Sequence, residues 1–181
     1  GSNTGDLYIF FKSIDIKLHY YAIEPGLYEY KSLLKNHNLN FDSKINSKCC
    51  QLALSNLDCE KTFFYAPNNA DSSLMKPPEY DFEYKTQAKK LDTFLEENKI
   101  KGKKIKLLKL EAEGLEIEVL EGAIESLKNI EFIAADLGPE RGLNQENTIV
   151  ECSNILFKNN FEMIFFNSHR TTALFKNKIL K

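Results

Sequence analysis

The apolar and polar positions of the chain change period repeatedly, and each change marks an element. "KLHYYAIEP" is a run of apolar and aromatic residues that reads as a strand ending at Pro25. In the "GLYEYKSLLKNHN" that follows, Leu27, Tyr30, Leu33 and Leu34 recur at helical spacing. "CCQLALSN" and "EKTFFYAP" read as two extended segments around a turn at Asn56, Leu57 and Asp58. Residues 67–83, rich in Pro, Asn, Asp and Ser, predict one long surface loop, and loops of that length are commonly lids or binding loops. Residues 86–98 run from a strand into a short helix, with Asp92 near its start in an N-cap role. "IKLLKLEAEG" predicts a buried strand and a turn. The helix expected over "LEIEVLEGAIESLKN" puts Leu115, Val119, Leu120, Ile124 and Leu127 on one face. "IEFIAADLGPERG" reads as a strand that ends in a Gly-Pro turn. "NQENTIVECSNILFKNN" predicts a last long helix with Ile149, Cys152, Ile155 and Leu156 inward. "FEMIFFNS" and "TTALFKN" predict an antiparallel hairpin across residues 167–170.

Strand–helix alternation closed by a hairpin implies an open α/β sheet, mostly parallel with an antiparallel C-terminal hairpin, in a single domain over residues 1–181. A net charge of -2 argues against general affinity for nucleic acid or anionic membranes. The basic run "KIKGKKIKLLK" is flanked by acidic residues and reads as a solvated strand entrance. No apolar run approaches the roughly 20 residues of a transmembrane segment, and no signal peptide is visible. Cys49, Cys50, Cys59 and Cys152 form no CxxC pair and no metal-ligand spacing with His. They read as reduced thiols in or near the core of a cytoplasmic protein, with no metal expected.

In an open α/β sheet, ligands bind beyond the carboxyl ends of the strands. Gly1-x-Asn3-x-Gly5 would be a first strand-to-helix turn, where glycines let backbone N–H groups approach a ligand. Read alone, the same residues are equally a ragged terminus or a solvated turn. Glu24, before Pro25 at the next strand end, lies 24 − 5 = 19 positions beyond Gly5, close to the acid expected about 20 residues on for ribose hydroxyls. At the later strand tip, alternation puts Lys109, Glu111 and Glu113 on one side. Clustered carboxylates there are costly unless solvated, paired or used, and helix capping is the alternative role, favoured for Glu116. Asp136 ends a strand and either faces the same crevice or stabilises its own turn. His19 and His37 read as structural. His169 and Arg170 stand in the hairpin turn, either solvated or reaching a substrate.

"YAIEPGLYEYKSLLKNHNLN", "LALSNLDCEKTFFYAP", "KLDTFLEEN" and above all "LLKLEAEGLEIEVLEGA" resemble FkbM-type methyltransferases over nearly the whole chain. The resemblance implies a Rossmann-like class I methyltransferase sheet and S-adenosyl-L-methionine as cofactor. By position it implies that Gly1, Ser2, Asn3 and Gly5 hold the methionine end of the cofactor, that Glu24 with Pro25 takes its ribose, and that Leu54 and Ser55 lie near adenine. Lys109, Glu111, Glu113 and Glu116 match the family's acidic signature; Glu111 and Glu113 are the catalytic candidates, and Lys109, Asp136, His169 and Arg170 the substrate candidates. Two departures stand out. Glu111 replaces the family's usual Asp, and the strand that should precede Gly1 is absent, so the chain reads as N-terminally shortened.

The implied reaction is O-methylation of a hydroxyl on a sugar, glycan or glycolipid precursor, with residues 71–73 as a covering loop. Expected partners are a small-molecule or glycan substrate, with room for a homodimer and none for nucleic acid. Two alternatives stay in view: a degenerate methyltransferase-like binding module, and a nicotinamide-dependent Rossmann oxidoreductase. The second lacks its usual Gly-x-Gly-x-x-Gly fingerprint.

Overall fold

Gly5, with φ at 92°, turns the chain from its first loop into α1 (Asp6–Ser13) in a computed structural model that describes residues 1–14, 16–40, 45–67 and 72–180. The chain divides into two compact units, Gly1–Ala53 and Leu54–Lys181. In the first, β1 (Leu18–Ile23), α2 (Leu27–Leu39) and β2 (Ile45–Cys50) form a parallel β–α–β unit, registered from Leu18 opposite Ile45 to Ile23 opposite Cys50. The helix predicted after Gly26 therefore forms, with Leu33 as its fully buried residue. Tyr8 of α1 packs at 5.9 Å from the ring of Tyr20 and 4.7 Å from that of His37. His37 in turn meets the Ser47 hydroxyl at 2.5 Å, the structural role expected of it. Asn36 on α2 donates to the Thr4 carbonyl (2.9 Å), fastening the helix to the glycine loop.

The second unit starts at the end of the two-residue strand β3 (Ala53–Leu54). Here β4 (Cys59–Tyr65) pairs antiparallel with β5 (Phe82–Lys89), their facing aromatic rings in contact: Phe63 with Tyr84 and Tyr65 with Phe82. After α3 (Leu91–Glu97) comes a four-stranded sheet in the order β6-β7-β9-β8. Its strands are β6 (Ile105–Leu110), β7 (Ile130–Asp136), β8 (Phe161–Asn167) and β9 (Thr172–Asn177). The β6–β7 pair is parallel, and β9 lies antiparallel to both β7 and β8, so the terminal hairpin forms as expected. Ile133, Phe161 and Phe175 from this sheet are buried together with Cys152 and Leu156 of α5 (Ile149–Lys158). Among the described residues, no helix is long and apolar enough to cross a membrane.

Several expectations need correction. The described strands form several sheets rather than one mostly parallel sheet: β1–β2 and β6–β7 pair parallel, while β4–β5, β7–β9 and β8–β9 pair antiparallel. Strand β6 is not buried: it lies at the end of the strand order, with β7 as its partner among the described residues. Lys106, Leu107 and Lys109 are exposed, and Lys104 and Lys106 ion-pair with Glu131. The long helix expected from Leu115 shrinks to α4 (Glu116–Glu121). It stops at Gly122, where a Cβ would lie 2.1 Å from the Ser55 carbonyl oxygen, and beyond it Ile124 is 46% exposed. Residues 142–145 form a turn closed by a bridge between Arg141 and Glu146, and 147–148 are irregular, so the last helix begins only at Ile149. All four cysteines are free thiols, but Cys59 is exposed rather than near the core.

Asp92 does not cap its own helix. Asp58 does that for α3, accepting from Lys90 N and the Thr93 hydroxyl, both at 2.8 Å. These bonds hold the Asp58 carboxyl below the usual range. Asp92 instead accepts from the N–H groups of Glu125 (3.1 Å) and Ser126 (2.9 Å) and from the Ser126 hydroxyl, where the chain turns into the short 3-10 helix Leu127–Asn129. Its own N–H donates to the Gly122 carbonyl (3.0 Å), so α3 and the end of α4 are tied both ways. Asp92→Ala removes the acceptor of the Glu125 N–H and of the buried Ser126 hydroxyl and should destabilise the fold by about 1–3 kcal/mol. A urea titration should show the lower midpoint at an unchanged slope.

Candidate functional site

In the first unit, the glycine loop and the end of β1 are joined through Ser2, Asn3 and Glu24. Ser2 N donates to the Ile23 carbonyl (3.1 Å), and Ile23 N donates back to the Ser2 hydroxyl (2.8 Å). Asn3 takes the left-handed conformation (φ 46°), which Asn tolerates better than most residues, and its N–H points at Glu24 Oε2 (2.7 Å). Glu24 Oε1 accepts from Gly26 N at 2.9 Å. The carboxylate is 7% exposed, yet among the described residues each oxygen has only one protein donor. A carboxylate offers about four lone-pair positions, so two remain for a ligand's hydroxyls. Gly5 closes the loop with an N–H bond to the Ser2 carbonyl (2.9 Å), and a Cβ there would meet Leu33 Cδ1 at 2.7 Å. Gly1 and Pro25 flank this arrangement. The residues present fit the ribose end of a nucleoside cofactor: a nearly buried acid with acceptor positions left over, beside a loop whose Ser2, Asn3 and Gly5 N–H groups are bonded within the protein.

The expected adenine neighbours belong to the second unit. Leu54 is half-buried. Ser55 is fully buried, with its N–H on the Lys89 carbonyl (2.8 Å) and its hydroxyl accepting from Lys61 Nζ (2.7 Å).

The second cluster forms where β6 and β7 end. Lys109 and Glu111 share a side of the chain and ion-pair with each other. Glu113 joins them by a different route from the pleat that the sequence suggests: β6 stops at Leu110, and Glu113 turns left-handed (φ 49°) ahead of Gly114 (φ 87°). Its carbonyl accepts from Ser73 Oγ at 2.8 Å. Ser73 is itself buried and bridged to Phe64, and Ser72 accepts from Ala66 N (2.9 Å). Two residues of the expected covering loop are therefore pinned; Asp71 lies outside the described residues.

Glu116 takes the capping role expected of it. Its Oε1 accepts from Ala112 N (2.8 Å) and Gly114 N (3.2 Å), and its Oε2 from the Thr148 hydroxyl (3.0 Å). Burial still raises its carboxyl above the ordinary range, against the lowering effect of those bonds.

Glu140, which the sequence did not single out, completes the cluster. Its side chain hydrogen-bonds that of Glu113, and a Cβ on Gly138 would sit 3.4 Å from both Glu140 Oε1 and Asp136 Oδ1. Burial raises the carboxyls of Glu113 and Glu140, and the surrounding charges of Glu111, Glu116 and Asp136 raise them further. Two carboxyls in contact cannot both ionise easily, so the pair retains a proton near neutrality. Among the described residues no three acids converge as metal ligands do.

The expected substrate candidates divide accordingly. Asp136 lies within the cluster, and Lys109 is spent on Glu111. His169 and Arg170 are exposed in the hairpin turn, with His169 N on Asn167 Oδ1 (3.0 Å). That turn lies at the Asp136 end of the sheet, since Asp136 pairs with Thr172. The partners of the carboxylates among the described residues include neither side chain.

With this geometry in hand, the chain can be placed. A family model described as the methyltransferase FkbM domain matches residues 1–169, and the chain belongs to that family. No curated protein and no solved structure matches it significantly.

The raised carboxyls also set a pH dependence of stability. Groups whose folded values lie above the unfolded ones contribute stability below the unfolded value and lose it as pH rises through the folded value. Glu140→Gln removes one charge and supplies an amide donor to Glu113. The remaining Glu113 carboxyl should titrate closer to the ordinary range in a carbon-13 glutamate NMR titration. At pH 8 the variant should melt higher by roughly 2–4 °C, the response to about 1 kcal/mol in a chain of this size. At pH 4 the gain should vanish.

Proposed function

We propose that the chain is an S-adenosylmethionine-dependent methyltransferase that O-methylates a hydroxyl of a sugar, glycan or glycolipid precursor. The observation that carries the reading is the Glu24 carboxylate, nearly buried, oriented by Asn3 N and Gly26 N and still holding two acceptor positions. Vicinal ribose hydroxyls suit those positions. Family membership over both units supports reading residues 1–181 as one domain. The parallel β1–β2 pair and the order β6-β7-β9-β8 support a Rossmann-like class I sheet.

On this reading Gly1, Ser2, Asn3 and Gly5 hold the methionine end of the cofactor, Glu24 with Pro25 holds the ribose, and Leu54 and Ser55 neighbour the adenine. When bound, the cofactor supplies an electrophilic methyl group on a sulfonium. The chain's own task is then to orient the acceptor hydroxyl and take its proton. The unprotonated member of the Glu113–Glu140 pair takes it, since a carboxylate with a raised pKa is the stronger base. Glu111 and Asp136 orient the acceptor's other hydroxyls, and His169 and Arg170 lie where a longer glycan would extend. Free thiols at all four cysteines favour a cytoplasmic setting.

Calorimetry with S-adenosylhomocysteine and NAD tests the cofactor. The first should bind and the second should not, and Glu24→Gln should weaken the first by at least about tenfold, the value of one hydrogen bond to a charged acceptor. NAD binding in preference would overturn the reading. In methyl-transfer assays on glycan acceptors, Glu113→Gln should lower turnover by about 10²–10⁴-fold with S-adenosylhomocysteine affinity near normal. Unchanged turnover in both the Glu111→Gln and Glu113→Gln variants removes these residues from the mechanism.

A further inference from the structure

Arg141 holds the turn of Glu113 at the carbonyl next to the one that Ser73 holds. Its Nη1 donates to the Gly114 carbonyl (2.5 Å) and to Glu118 Oε2 (2.9 Å), and its Nη2 donates to Glu118 Oε1 (2.7 Å). One planar group thus joins a two-pronged ion pair on α4 to a carbonyl of the turn, a geometry that lysine cannot reproduce. The Arg141 backbone is fixed as well. Its N–H donates to the Glu146 carbonyl at 3.0 Å, and Glu146 N donates back at 3.1 Å.

The main chains themselves abut at this point. A Cβ on Gly114 would lie 2.5 Å from Arg141 Cα, 2.8 Å from the Glu140 carbonyl oxygen and 2.9 Å from Arg141 N. Gly114 directly follows Glu113, and Arg141 directly follows Glu140. The contact of residues 114 and 141 therefore sets the spacing of the two carboxyls that precede them.

We propose that Arg141 is a positioning residue whose link from Glu118 to Gly114 keeps the side chains of Glu113 and Glu140 in hydrogen-bonding contact. This rests on the reading of that pair as the proton-handling group of methyl transfer. Arg141 acts through geometry and not through its charge, because Glu118 takes up that charge in the ion pair. Among the described residues, the acids Glu111 and Glu116 act on both members of the pair, and Asp136 acts on Glu140.

The test uses the full chain with Arg141→Lys, which keeps the charge, and Arg141→Gln combined with Glu118→Gln, which removes both charges together. Circular dichroism checks that each variant folds. Carbon-13 NMR of labelled glutamate carboxyls then follows the titration without any cofactor or acceptor, so it is independent of the proposed activity. Both variants should lose the high-titrating step of the pair, its midpoint falling by about one unit or more as the two carboxyls separate. A wild-type titration in folded Arg141→Lys overturns the proposal, since charge alone would then suffice. So does a wild-type titration in the folded double variant. Methyl-transfer assays on Arg141→Lys should show kcat reduced about tenfold or more, with the KM for the cofactor unchanged. Should the titration shift while kcat stays, Arg141 still positions the pair, and it is the proton-handling reading of the pair that fails.

Discussion

The second unit's site depends on the buried carboxylate of Glu116. At 1% exposure it would be a serious liability if unpaired, because the desolvation of a carboxylate costs several kcal/mol. Two backbone N–H groups and one hydroxyl offset that cost, and in doing so they dictate the path of the chain from Ala112 to Gly114. With those N–H groups committed to Glu116, the carbonyls of Glu113 and Gly114 are left to Ser73 and Arg141. The left-handed conformations at Glu113 and Gly114 follow from this division of donors and acceptors. Few residues other than glycine could occupy position 114, where both the positive φ and the nearby Arg141 backbone exclude a Cβ.

That scaffolding holds together groups that repel one another. Glu113 and Glu140 are kept in contact within reach of Glu111, Glu116 and Asp136, and the result is a pair of carboxyls that bind a proton well above their ordinary range. Such an arrangement lowers stability at neutral pH and is maintained only because Ser73, Arg141 and Glu116 over-determine the turn. Glu131 has the opposite character: at 7% exposure it is reached by both Lys104 and Lys106, whose charges hold its carboxyl below the ordinary range. The contrast between compensated and uncompensated acids separates a site from a solvated surface.

Much of the fold was legible from periodicity. β1, α2, β7 and the β8–β9 hairpin lie where the apolar spacing puts them, since each has a strong pattern and a clear turn signal. What failed depended on tertiary neighbours. The apolar face from Leu115 to Leu127 reads as one helix, but Gly122 packs on the Ser55 carbonyl and Asp92 captures the N–H groups of Glu125 and Ser126. Both partners are remote in sequence. β6 reads as buried because its residues are apolar, whereas its place in the strand order leaves it with a single neighbour. The site divides in the same way. Asn3, Gly5, Glu24 and Glu113 announce themselves by residue type and spacing. Glu140 and Arg141, in "GPERG", carry no local signal beyond a polar turn after a strand, and their role arises from the backbone of residue 114, 27 positions earlier.

Glu24 and Glu116 are the same device used to different ends. Each is a nearly buried carboxylate that collects backbone N–H groups around a turn with left-handed residues, and each thereby defines a loop. The difference lies in what is left over. Glu116 carries two N–H donors on one oxygen and a hydroxyl on the other, at 1% exposure, so its acceptor capacity is nearly used. Glu24 carries one N–H on each oxygen at 7% exposure and keeps a free position on both. A ligand offering two adjacent hydroxyls can complete Glu24, whereas Glu116 has almost nothing left to offer one. Two acids that look alike in sequence, each close to a glycine, are therefore distinguished by counting donors: one organises protein, and the other is built to receive something else.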